Sequence, residues 1–464
     1  MILAFVGCSG IPERDTRPPD ACAALFAALD AAIRAETHFD PSLRRVTGMP
    51  LARTDRFLAG FEYDSLQPAA RQAWLEHAFG RAQAAYRTEF ARLQPETRAA
   101  IRSAHGFESL EARLSDCFGQ AQAPEELPAS AYGVPDNYST ALRALGLYPL
   151  TRLIARGFIA RYREDMTARV EAGPATEFVA QQTYEGRQPE VAGDRPTRPL
   201  ATDALGVPRL TGEDWDVLFD RHMPQIVSEL GSAADRIGKP RVHADGRIRI
   251  DTEHPTVFTF PSHMPRSGQV LPQLNYVFWF PARPPATGFD LYAGELAGIL
   301  WRVTLDQQLR PVLYDSIHLC GCYHKLFLPP GSRVDLKGLA GERPLVFALD
   351  GLPDSHVRLQ LRVAAATHYL IEVRTAQPDP QALSLAVEPY ESLLRSPGPD
   401  GAVSVFGPTG IIQQSRRPER FFLWPMGIPS PGAMRQRGMH ATAFAGRRHF
   451  DAPDLLDALQ LTFD

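Results

Sequence analysis

The spacing of apolar residues changes along the chain. Over residues 21–36 the buried-type side chains Leu25, Phe26, Leu29 and Ile33 recur at three- and four-residue steps, which predicts an amphipathic helix. Residues 68–93 repeat the pattern, with Trp74, Phe79, Tyr86 and Phe90 as core anchors. A third stretch carries Leu142, Leu145, Leu150 and Leu153, and Pro149 is expected to break or kink it. A fourth helix is expected over 210–229, capped by Thr211 and Asp214, with Trp215, Leu218, Phe219 and Ile226 on its apolar side.

From about residue 240 the pattern becomes that of strands. Alternating, β-branched or aromatic runs at 247–251, 255–260, 274–280, 299–305, 311–315, 345–349, 357–363 and 368–373 predict short strands. The polar loop between 305 and 311 makes two of them a hairpin. Between the helical and strand patterns, residues 173–208 hold Pro174, Pro189, Pro196, Pro199 and Pro208 with little periodicity, which predicts a proline-rich linker. The expected fold is α+β: a helical region over 10–172, the linker over 173–208, and a mainly antiparallel, sandwich-like β-rich domain over 209–464.

Composition narrows the function. A chain of 464 residues with 44% hydrophobic and 22% charged residues can bury a large core. Its 41 prolines favour many loops. A net charge of −4 gives no overall case for a nucleic-acid partner.

The densest chemistry lies in the run Tyr-Asp-Ser-Ile-His-Leu-Cys-Gly-Cys-Tyr-His over 314–324. His318, Cys320, Cys322 and His324 stand at alternate positions, so in a straight strand all four would share one face. The two histidines would then lie about 20 Å apart, too far to bind one ion. Gly321 permits a bend that brings three or four ligands together. Thiolate and imidazole suit zinc or another transition metal. A Cys-Gly-Cys disulfide and plain buried thiols are the alternatives. His263 is a further candidate ligand, and His254, His440 and His449 are weaker ones. Asp315 and Glu253 are candidate proton carriers. Between residues 411 and 449 there are seven arginines and one acid, Glu419. Arg435, Arg437 and Arg447 are therefore candidate contacts to an anionic small molecule.

Residues 1–8 read Met-Ile-Leu-Ala-Phe-Val-Gly-Cys, which resembles the end of a truncated bacterial lipoprotein signal. The resemblance implies lipidation at Cys8 and attachment to a membrane surface on its periplasmic side. A short buried strand of a cytoplasmic protein is the alternative. Lipidation of Cys8 would leave four cysteines, of which Cys22 and Cys117 could pair in an oxidising compartment. The 314–324 run, the stretch 268–276 and the segment 432–450 resemble an uncharacterised family of bacterial hypothetical proteins, a resemblance that carries no activity with it.

These features lead to one expected function and one alternative. The first is a cell-envelope protein with a Cys/His metal site, acting as a zinc-assisted hydrolase on an anionic substrate. The second is a non-enzymatic envelope lipoprotein with a structural metal site or a redox or structural Cys-Gly-Cys disulfide.

Overall fold

The computed structural model describes residues 20–36, 38–119, 121–172, 180–186, 200–286, 288, 290–339, 343–349, 358–398, 401–442 and 448–463. Cys8 and Arg447 lie outside them. The fold is α+β, with helices first and mostly antiparallel sheet after.

The N-terminal part packs helices α1 (Asp20–Ala35), α2 (Pro68–Arg92) and α3 (Leu110–Phe118) around Leu25, Phe26, Trp74, Leu75, Tyr86 and Leu114, all fully buried. A disulfide between Cys22 and Cys117 ties α1 to α3. The third predicted helix divides at Gly146 and Leu147 into Thr140–Leu145 and α4 (Tyr148–Ala172). Pro149 does not kink α4. It occupies the first turn, where its missing N–H would have no helical partner anyway.

The fourth predicted helix is shorter than its pattern suggests. It forms α5 (Gly212–His222), with the expected Thr211–Asp214 capping box, and then stops. Pro224 excludes Met223 from helical geometry, and Gln225–Glu229 becomes a strand whose first four residues are buried.

Twelve strands form two large sheets. In chain order they are β1 (Gln181–Glu185), β2 (Gln225–Glu229), β3 (Thr256–Arg266), β4 (Gln269–Arg283), β5 (Gly294–Leu305), β6 (Pro311–His318), β7 (Lys325–Leu328), β8 (Leu345–Ala348), β9 (Leu359–Val363), β10 (Leu370–Thr375), β11 (Leu383–Ser384) and β12 (Ala386–Pro389). The seven-stranded sheet runs β8-β7-β6-β5-β4-β3-β12 and the five-stranded sheet β10-β9-β2-β1-β11. The segment expected as a linker thus supplies β1 to a sheet interior, because Tyr184 inserts between the sheets. Leu205 and Val207, also within 173–208, pack into the helical core.

The two sheets share one apolar layer. Tyr184, Ile226 and Leu361 meet Leu274, Tyr276, Phe278 and Trp301 there. The opposite face of the seven-stranded sheet is covered by the chain's last segment. Phe406, Ile412, Met434 and Phe450 pack on Phe258, Trp279, Leu300 and Ile317. That cover reaches the end of β6, where the Cys-Gly-Cys stretch begins.

Candidate functional site

β6 and β7 pair antiparallel, with Tyr314 opposite Phe327, Asp315 opposite Leu326 and Ser316 opposite Lys325. The connection between them is a tight reversal. The N–H of His318 donates to the carbonyl of Cys322 at 3.0 Å, and that of Gly321 to His318 at 2.8 Å. Gly321 has φ +88°, and a Cβ there would lie 2.4 Å from the Ala441 carbonyl oxygen, so glycine is required twice over. The last segment clamps the reversal. The Arg435 N–H donates to Leu319 at 2.8 Å, and its guanidinium donates to the carbonyls of Cys320 and Ser430 at 3.3 and 3.0 Å.

This reversal separates the two histidines. Residues facing each other across the ladder share a side, so His318 falls on the Ser316 side and His324 on the Asp315 side. Their contacts agree. His318 lies among the rings of Tyr323 and Tyr369, at 4.9 and 5.6 Å. His324 lies against Phe450 at 5.2 Å, with its Nε2 3.0 Å from Asp315. Bending at Gly321 therefore does not bring the four residues round one ion.

His263 is elsewhere. His318 pairs with Ile299, which pairs with Phe278, which pairs with Val257, while His263 is six residues further along β3. At ~3.3 Å per residue that is roughly 20 Å along the sheet. Among the described residues no group of three or more His, Cys, Asp or Glu side chains is arranged to hold a metal ion.

The candidate proton carriers also separate. Asp315 is fully buried and bound by both arms of Arg302, at 2.8 and 2.5 Å. Burial alone would raise its pKa, but Arg302 and His324 outweigh burial and hold it below the ordinary carboxylate range. Arg302 in turn donates to Phe450 and lies 3.6 Å from that ring's centre. Asp315 is thus the centre of a structural ion cluster. Glu253 sits on an exposed turn after Asp251. Of the candidate anion contacts, Arg435 is spent on backbone carbonyls and Arg437 on Glu391 at 2.7 Å.

What the reversal does bring together is the thiol pair. Cys320 and Cys322 are free and buried. The two side chains act on one another as hydrogen-bonding partners. That bond, opposed by burial and aided by Arg417, brings the Cys320 thiol down to about 6. The same bond pushes Cys322 well above the ordinary thiol value. Glu419 is the nearby acid, and burial followed by the Cys320 charge raises its carboxyl to about 7. Glu419 packs so closely on Gly432 that a Cβ there would sit 1.9 Å from its Oε1.

A cleft of about 640 Å³ opens beside this loop. Gly321, Tyr323, His324, Tyr369, Tyr292 and Glu419 line it, together with residues of α4 and with Phe422, Leu423, Pro425 and Met426. Nothing in the spacing of the sequence foretold Tyr369 or Tyr292 here, since they come from distant segments, Tyr369 just ahead of β10 and Tyr292 from the connection between β4 and β5. Glu419 did stand out, as the lone acid among arginines.

A second cleft, of about 330 Å³, lies between the helical region and the seven-stranded sheet. His263, Arg437 and His440 line it with Asp55, His77 and Arg81. Burial, with Arg81 and His77 beside it, lowers His263 to about 3, so it is neutral there.

No protein-family model, curated protein or solved structure matches the chain.

Proposed function

We propose that the protein is a cell-envelope dithiol protein whose Cys320 and Cys322 carry out thiol–disulfide exchange. The carrying observation is the thiol pair itself, two free cysteines on either side of one glycine, in a loop whose Gly321 and Tyr323 line a cleft. The chemistry balances with two electrons. The Cys320 thiolate attacks one sulfur of a substrate disulfide, forming a mixed disulfide and releasing the first substrate thiolate, which takes a proton. The Cys322 thiol gives up its proton, and its thiolate attacks the Cys320 sulfur. The second substrate thiolate leaves and is protonated, and a Cys320–Cys322 disulfide remains. Run in reverse, the same pair oxidises a substrate dithiol. Glu419, raised to about 7, is suited to hold the proton exchanged near neutral pH.

The Cys22–Cys117 disulfide supports an oxidising compartment, in keeping with a lipoprotein anchored through Cys8 on the periplasmic side. The zinc-assisted hydrolase has less support, because His318, His324 and His263 do not converge.

The test is equilibration of the full chain carrying Cys8→Ser in thiol–disulfide buffers of graded potential. Alkylation and mass spectrometry then count the free Cys320 and Cys322. A reversible two-electron transition that Cys322→Ala abolishes supports the proposal. Thiols that stay reduced at every potential, or that come with stoichiometric zinc or another transition metal, overturn it.

A further inference from the structure

Large exposed apolar side chains concentrate in one place. Leu145, Leu147, Leu150 and Leu153 are 76%, 60%, 62% and 56% exposed, and Phe421, Phe422 and Trp424 are 65%, 62% and 38% exposed. The two segments are neighbours in space. A Cβ on Gly146 would lie 2.4 Å from Pro425, and the Ser139 N–H donates to Gly427 at 2.6 Å. The side chains therefore form one protruding apolar patch, of the sort that marks an interaction surface.

Along the helical segment that carries the leucines the charges are of one sign as far as Arg163, with the exposed acids Glu164 and Asp165 beyond it. Residues 140–163 contain five arginines and no acid, although the chain as a whole is −4. Arg152 and Arg161 are exposed, and Arg420 lies over the Phe421 ring at 4.4 Å. The patch is also continuous with the larger cleft, whose lining includes Phe422, Leu423, Pro425 and Met426 beside residues of α4.

We infer that this patch docks on the surface of an anionic phospholipid bilayer, leucines and aromatics in the interface and arginines among the headgroups. Leucine, phenylalanine and tryptophan flanked by arginine suit the boundary between acyl chains and headgroups. Each arginine near an anionic leaflet adds attraction that salt screens. A second copy is a poor occupant, because a symmetric pairing would press two arginine-rich faces together. No helix among the described residues is long and apolar enough to cross a membrane, and the contact inferred is with the surface only. Docking would hold the Phe422 part of the cleft's lining close to the bilayer.

The experiment uses the full chain with Cys8→Ser, so that no acyl anchor contributes, and sedimentation with vesicles. One set is phosphatidylcholine with a quarter phosphatidylglycerol, the other phosphatidylcholine alone. Binding to the anionic vesicles is expected, weakened by salt. It should fall at least about tenfold in a Phe421→Ser, Phe422→Ser double variant, since each ring loses its burial in lipid. It should also fall in Arg152→Glu, Arg161→Glu. All four positions are partly or fully exposed, and an unchanged melting temperature verifies that the variants fold. The inference is overturned by no binding to either vesicle set, by binding the variants leave unchanged, or by self-association through the patch without vesicle binding. None of these readouts depends on the thiol pair.

Discussion

At the scale of single residues, the account turns on Cys320. An ordinary cysteine ionises near pH 8.5, so little of it is thiolate at neutrality. Here the hydrogen bond with Cys322 brings Cys320 to about 6, and its thiolate predominates at pH 7. Alkylation of Cys320 should therefore rise through about pH 6 and level off above it. In Cys322→Ala that partner is gone while burial remains, so the midpoint should move up by more than about one pH unit. The pH dependence of iodoacetamide labelling, read by mass spectrometry, checks both; a midpoint near 8.5 in the unmodified protein would remove the basis for a nucleophilic Cys320. The sequence made these two cysteines conspicuous but could not give them unequal roles. The difference arises with the charges of Arg417 and Glu419, which the covering segment brings to the loop.

At the scale of elements, the β6–β7 reversal decides which expected residues can cooperate. Alternation read along a straight strand groups His318 with His324. Once the chain turns back, the facing partner of each residue fixes its side, and the two part. That parity depends on where the turn closes, which the residue types alone leave open. The helix expected over 210–229 fails for a similarly local reason, since Pro224 ends it and frees Gln225–Glu229 for the sheet. Asp315 illustrates the consequence for chemistry. Its depressed pKa belongs to a cross-strand ion cluster with Arg302, in which burial is outweighed by the guanidinium and His324. Asp315→Asn should cost about 3–5 kcal/mol, because it leaves Arg302 buried and uncompensated. Chemical denaturation measures it. The sign with pH follows: the carboxyl is more acidic in the folded protein, so its stabilisation is complete above the unfolded carboxylate value near 4. It is lost as pH falls through the lower folded value. A variant as stable as the parent would return Asp315 to the role of a free base.

At the scale of the whole molecule, the broad division was legible: helical periodicity in the first third, strands after residue 240. The interlocking was not. The proline-rich segment contributes β1 to one sheet and Leu205 and Val207 to the helical core, so the two halves are joined by shared packing. The Cys22–Cys117 bridge closes a stretch 95 residues apart in sequence. Removing it with Cys22→Ser, Cys117→Ser should cost about 2–5 kcal/mol, as expected for so long a loop. Melting measurements would reveal this, and an unchanged transition would mean that the bridge does not constrain the unfolded chain.

The central claim is that Cys320 and Cys322 form a reversible redox couple, and the potential titration of the full chain with Cys8→Ser tests it most directly. The account predicts one two-electron transition in which both thiols disappear together, at potentials where Cys22–Cys117 stays oxidised. Two thiols that remain free across the whole range, with the fold intact, would contradict it.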